Sequence, residues 1–87
     1  MKTLKQKSII ITGAAMGLGL AAAEELASQG AYLTLVDFNE KSLSEAERKI
    51  SKEHPDAKLT TVVGDASNED DVKKYVAAAV KAYGRID

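Results

Sequence analysis

Residues Thr12-Gly13-Ala14-Ala15-Met16-Gly17-Leu18-Gly19 combine small side chains with glycines in a way that suits the binding of a phosphate group. A bound pyrophosphate needs backbone N–H donors at close range and a helix N-terminus aimed at it. Side chains would obstruct that approach, so glycine serves where the backbone must turn or come near. Gly13 suits a tight turn, whereas Gly17 and Gly19 suit close approach of a ligand and of a helix to a sheet. The same glycines also fit a strand-to-helix turn that binds nothing, and their spacing alone is a weak signal. A second feature strengthens the ligand reading. Dinucleotide-binding units carry an acidic residue about 20 residues beyond the loop, where it accepts hydrogen bonds from ribose hydroxyls, and Asp37 stands there. Its alternative is an ordinary turn residue ahead of Asn39. The only histidine, His54, lies beside Pro55 with no cysteine or second histidine to share a metal, so a surface role and no metal site are expected.

Apolar runs and helical spacings alternate around these residues. Ser8-Ile9-Ile10-Ile11 is a β-branched run expected as a strand covered on both faces. Leu18 to Gln29 reads as a helix, with Gly30 at its C-terminal stop. Ala31 to Val36 forms a second strand ending at Asp37. Asn39 opens a second helix with Leu43, Ala46 and Ile50 inward and Lys41, Glu45 and Lys49 outward, ended by His54-Pro55-Asp56. Leu59 to Val63 is a third strand. Ser67 and Asp70 suggest a capping box for a third helix, in which Val72, Val76, Ala79, Val80 and Tyr83 form the apolar face until Gly84. Tyr83 then belongs to the core, and Tyr75 falls off that face. The pattern β-α-β-α-β-α with short connections predicts an α/β, Rossmann-type parallel sheet with right-handed crossovers and strand order 3-2-1, half of a doubly wound fold.

Size and composition narrow the function classes. At 87 residues the chain holds one domain at most. Its hydrophobic content of 45% is enough for a packed core and argues against disorder. A net charge of −1 offers no electrostatic reason to expect nucleic acid or an anionic membrane as partner, and Lys2, Lys5 and Lys7 read as a solvated tail. The absence of cysteine suits a cytoplasmic protein. Ile9 to Ala23 is interrupted by Thr12 and three glycines and is shorter than the ~20 residues a membrane span needs. Neither a membrane segment nor a secretory signal is expected.

The spacing Thr-Gly-x-x-x-Gly-x-Gly from Thr12 to Gly19 resembles that of the short-chain dehydrogenase/reductase family. Gly64-Asp65-Ala66 resembles the family's Asp-Val pair, and Tyr83-Gly84-Arg85-Ile86-Asp87 resembles its Phe-Gly-x-Ile-Asp, which leads into a fourth strand. The resemblance runs along essentially the whole chain and is strongest to bacterial reductases of cyclic ketones, secondary alcohols or 3-oxoacyl thioesters. It implies a cofactor, NAD, and a role for each matching residue. Gly13, Gly17, Leu18 and Gly19 would line the pyrophosphate, with Met16 beside the adenosine half. Asp37 would take the adenosine ribose hydroxyls, and Phe38 would cover a face of the adenine. Asp65 would accept from the adenine amino group, and the Ala66 amide would meet a ring nitrogen. For Asp65 the alternative is a solvated loop aspartate.

The family's chemistry also requires a tyrosine and a lysine four residues apart, with a serine and an asparagine nearby. The lysine lowers the tyrosine pKa so that the phenol exchanges a proton as hydride moves. Here Tyr32 is followed at that distance by Val36, Tyr75 by Ala79 and Tyr83 by Asp87, so no catalytic residue is assigned. The expectation is that residues 1–87 are the N-terminal dinucleotide-binding portion of a longer, homo-oligomeric oxidoreductase interconverting a ketone and a secondary alcohol. A non-catalytic nucleotide-binding module is the alternative. By itself the chain is expected to be inactive and to self-associate through the open edge of its first strand.

Overall fold

The computed structural model describes residues Lys5–Asp87; Lys2 lies outside them, and Lys5 and Lys7 are exposed. Strands β1 (Ser8–Thr12), β2 (Tyr32–Asp37) and β3 (Lys58–Val63) alternate with helices α1 (Gly17–Ser28), α2 (Glu40–Glu53) and α3 (Glu69–Tyr83). The strands are parallel in the order β1-β2-β3, the expected 3-2-1 arrangement. Ile10 pairs with Thr34, and Thr34 with Thr60, so β2 is central. Its residues Leu33 to Asp37 are all buried, as the near-continuous apolar run of a doubly covered parallel strand requires.

Alternation along the strands divides the core in two. On one face, Leu33 and Leu35 pack with Ala23 and Ala27 of α1 and with Leu43 and Ile50 of α2, joined by Ile9, Ile11 and Leu59. On the other, Ile10, Val36 and Val62 meet Val72 and Tyr75 of α3. Two helices therefore cover one side and α3 the other, as expected. Helix α1 ends where the sequence indicates: the Gly30 N–H donates to the Ala27 carbonyl at 3.1 Å and the Ala31 N–H to the Leu26 carbonyl at 3.2 Å, a Schellman arrangement. Asn39 caps α2, its Oδ1 accepting from the Ser42 N–H at 3.0 Å.

Helix α3 departs from expectation twice. Its cap is Asn68, whose Oδ1 accepts from the Asp71 N–H at 3.0 Å, because the Ser67 hydroxyl is already committed to Asp65 Oδ1 at 2.7 Å. The buried face is also rotated. Tyr75 and Ala79 are buried, whereas Val76 and Val80 are exposed. Each valine sits one residue, about 100° around the helix, past its buried neighbour. The tyrosine's larger apolar body takes the sheet contact that the valines were expected to make. Tyr83 is half-buried, as a core-edge residue. Its hydroxyl donates to the Leu33 carbonyl at 2.9 Å and pairs with Thr60 Oγ1 at 2.9 Å, and its ring lies 5.3 Å from that of Tyr32. Burial raises the Tyr83 pKa, and the Thr60 hydrogen bond opposes that shift.

On the side of β1 away from β2, the Asp87 N–H donates to the Ser8 carbonyl, and the Ser8 N–H donates to Asp87 Oδ2 at 2.8 Å. Asp87 thus occupies the first rung of that edge.

Candidate functional site

In open α/β sheets, ligands bind beyond the carboxyl ends of the strands. Three loops gather there: Gly13–Met16 after β1, Phe38–Asn39 after β2 and Gly64–Asn68 after β3. Gly13 and Gly17 have φ of 64° and 59°, left-handed values that side-chain-bearing residues adopt at a cost. A Cβ at either would meet nothing within 4 Å, so the backbone path demands glycine there and the space beyond stays open. Gly19 answers a different need. A Cβ there would lie 2.0 Å from the Gly13 carbonyl oxygen, so the first turn of α1 rests directly on the loop.

The start of α1 is bare. Met16 stands at the cap position in extended backbone without a side-chain hydrogen bond, and the first turn holds no acidic residue. The first N–H groups of a helix have no intrahelical acceptor, and its dipole makes that end positive. Met16 and Leu18 are strongly exposed, at 62% and 90%.

Asp37, at the tip of β2, is buried. Its Oδ2 accepts from the Ala15 N–H at 3.1 Å and its Oδ1 from the Asn39 N–H at 3.0 Å. Phe38 beside it is exposed. The third loop is held by α3 and β2: the Asp65 N–H donates to Asp71 Oδ2 of α3 at 2.9 Å, and the Gly64 N–H donates to the Asp37 carbonyl of β2 at 3.0 Å. Asp65 Oδ1 accepts from both the hydroxyl and the backbone N–H of Ser67, which hold its carboxyl below the usual range.

Of the residues singled out in the sequence, Gly13, Asp37, Phe38, Asp65 and Ala66 line one cleft of about 240 Å³, together with Thr12, Val36 and Gly64. Gly17, Leu18 and Gly19 form the adjoining N-terminus of α1. Met16 borders a separate depression between α1 and α2, with Ala46 and Lys49. A second cleft, of about 220 Å³, lies at the opposite end of the sheet around His54, Pro55 and Lys58, away from the glycine loop. His54 there donates its backbone N–H to the Ile50 carbonyl. Asp71 was not anticipated. Its signal was an acidic residue three positions after Asn68, one step along from the pair that drew attention.

The cleft is walled by Asp37 and Asp65 and lies beside an uncapped helix N-terminus. Comparison with known proteins places the chain in a family. The family model for short chain dehydrogenases matches residues 7–87. Levodione reductase of Leifsonia aquatica is 42% identical over 79 residues, which cover 91% of this chain and 30% of the relative. A crystal structure of levodione reductase superposes with a TM-score of 0.92 at 39% identity, covering 97% of this chain and 33% of that one. A short chain dehydrogenase/reductase from Burkholderia phymatum, in complex with NAD, gives 0.90 at 34% identity, covering 99% and 30%. L-sorbose reductase from Gluconobacter frateurii, complexed with NADPH and L-sorbose, gives 0.93 at 30% identity, covering 100% and 33%. The chain spans about 30% of the length of the curated relatives it matches first. With the glycine loop, the parallel sheet and the match from residue 7 to residue 87 in agreement, this chain belongs to the short chain dehydrogenase family.

Proposed function

We propose that these residues are the N-terminal NAD(H)-binding portion of a cytoplasmic oxidoreductase that interconverts a ketone and a secondary alcohol. The observation that carries the reading is the cleft between Asp37 and Asp65, opening beside the bare N-terminus of α1. Gly13, Gly17, Leu18 and Gly19 line the pyrophosphate, which takes its backbone N–H donors from the start of α1, with Met16 and Phe38 flanking the adenosine half. Asp37 accepts from the ribose hydroxyls. Asp65, whose Oδ1 is engaged by Ser67, offers Oδ2 to the adenine amino group, and the Ala66 amide meets the ring. A bound nicotinamide dinucleotide supplies the hydride chemistry, and the proton-exchanging tyrosine and lysine come from outside these residues. The 87 residues alone are expected to show no turnover, weak nucleotide affinity and self-association through the outer edge of β1, which light scattering tests; the whole protein is expected to be a homo-oligomer.

Asp37 supports NAD(H) over NADP(H). A 2′-phosphate would meet its carboxylate, and neither residues 13–19 nor Phe38 supply a cation. Two unit charges ~4 Å apart at an effective dielectric of ~20 repel by roughly 4 kcal/mol, about a thousandfold in affinity before screening. Titration of the complete protein with both cofactors tests this. Equal affinities, or an Asp37→Ser variant that keeps the preference for NAD, would overturn it.

A further inference from the structure

We propose that Asp37 is a positioning residue that shapes the glycine loop before any nucleotide arrives, a role separate from its contact with ribose. The last two residues of β2 tie down all three loops of the site. The Val36 carbonyl accepts from the Ala14 N–H at 3.1 Å, and the Asp37 carbonyl accepts from the Gly64 N–H at 3.0 Å. The Asp37 carboxylate adds the Ala15 N–H at 3.1 Å and the Asn39 N–H at 3.0 Å. Among the described residues, only this carboxylate links the glycine loop to the entry of α2 through a single side chain. Both of its bonds are charge-assisted, which makes them roughly twice as strong as neutral ones. The bond to Ala15 is buried, away from competing water.

This arrangement divides the loop's donors. The Ala14 and Ala15 N–H groups are turned back to β2, so they are withdrawn from any anion. The donors left for a pyrophosphate are those at the start of α1, from Gly17 onward. Pinning Ala15 to Asp37 holds the chain just ahead of Met16 and so aims that turn. Removing the carboxylate therefore has two opposed consequences for a phosphate ligand. Repulsion falls because a negative charge is lost, and order falls because the loop is released. We infer that order prevails, since the loop's two left-handed glycines leave it costly to preorganise without the clasp.

The inference rests in part on the nucleotide-binding reading, and the experiment separates the two. Hydrogen exchange and amide NMR are recorded on the nucleotide-free complete protein for wild type, Asp37→Ala and Asp37→Asn. Affinity for inorganic pyrophosphate, which has no ribose, is measured by calorimetry. In Asp37→Ala the Ala15 and Asn39 amides are expected to exchange at least tenfold faster, while those of Leu35 and Ile50 hold their rates. Pyrophosphate affinity is expected to fall several-fold despite the lost charge. Asp37→Asn retains one acceptor and is expected to recover part of both effects. Unchanged exchange at Ala15, uniform acceleration across the core, or pyrophosphate affinity equal to or above wild type would overturn the positioning role. If wild type binds no pyrophosphate, the nucleotide reading fails, and the exchange at Ala15 and Asn39 alone decides the positioning role. If Asp37→Ala does not fold, Asp37→Asn decides it by the same readings.

Discussion

Helices α1 and α3 both begin beyond the carboxyl end of a parallel strand, and both face the same problem of unpaired N–H groups. They answer it in opposite ways. Helix α3 satisfies itself: Asn68 caps it, Glu69, Asp70 and Asp71 complement its dipole, and Asp71 reaches back to the Asp65 N–H. Helix α1 has Met16 at the cap position, glycine at its first and third residues and no acid in its first turn. A folded chain that caps two helices with asparagine has the means to cap the third. The contrast marks where the molecule forgoes a local cap, the end of α1 to which the proposed reading assigns a ligand. It also shows that α1 depends on packing rather than on a cap for its position, through the contact of Gly19 with Gly13.

The largest effect is expected at that contact. Gly19→Ala places a methyl 2.0 Å from the Gly13 oxygen, where backbone must move. Overpacking of this kind costs about 1–3 kcal/mol or more, and the upper end is expected here, with loss of nucleotide binding. Urea denaturation and cofactor titration measure both, and a variant matching wild type in both would remove the packing argument. The comparison can be inverted with Met16→Asp. An acid at the cap position stabilises a helix by about 1 kcal/mol, yet it would place a negative charge beside the pyrophosphate in the proposed binding mode. Stability is expected to rise while NAD affinity falls at least tenfold. A rise in both would show that the bare terminus is not kept for an anion.

On the self-capped side, Asn68→Ala is expected to cost about 1 kcal/mol of stability with less than a threefold change in NAD affinity. A larger loss of affinity than of stability would mean that α3's cap serves the ligand directly. The smallest effect concerns pH. Ser67 holds the Asp65 carboxyl below its ordinary value, so the turn it orders is fully present above about pH 4. That order is lost as pH falls through the lowered value. An NMR titration of the Ser67 amide should follow this midpoint, and Asp65→Ala should abolish it. A Ser67 amide that stays unmoved while Asp65 protonates would show that the hydrogen bond does not order the turn.

The local signals in the sequence were sufficient for the elements and for several residues that line one cleft. β-Branched runs, helical periodicity and the stop at Gly30 depend on neighbours within a few residues, and strands, helices and crossovers follow from them. The glycine spacing and Asp37 marked the cleft for the same reason: the conformations at Gly13 and Gly17 are properties of the backbone itself. The face of α3 was harder to read. Helical spacing correctly places Ala79 in the core, but it also puts Val76 and Val80 on the face that Tyr75 in fact occupies, and only the position of the sheet decided between them. The cap moved from Ser67 to Asn68 because Asp65 claims the Ser67 hydroxyl. The link from Asp37 to Ala15 joins the end of β2 to the loop after β1, across the top of the sheet. Hydrogen bonds of that kind have no sequence period, because their partners meet only when the strands align. Sequence alone determined which elements form and which residues line the candidate cleft; tertiary structure decided which side chains hold its loops in shape, through contacts that exist only once the sheet has assembled.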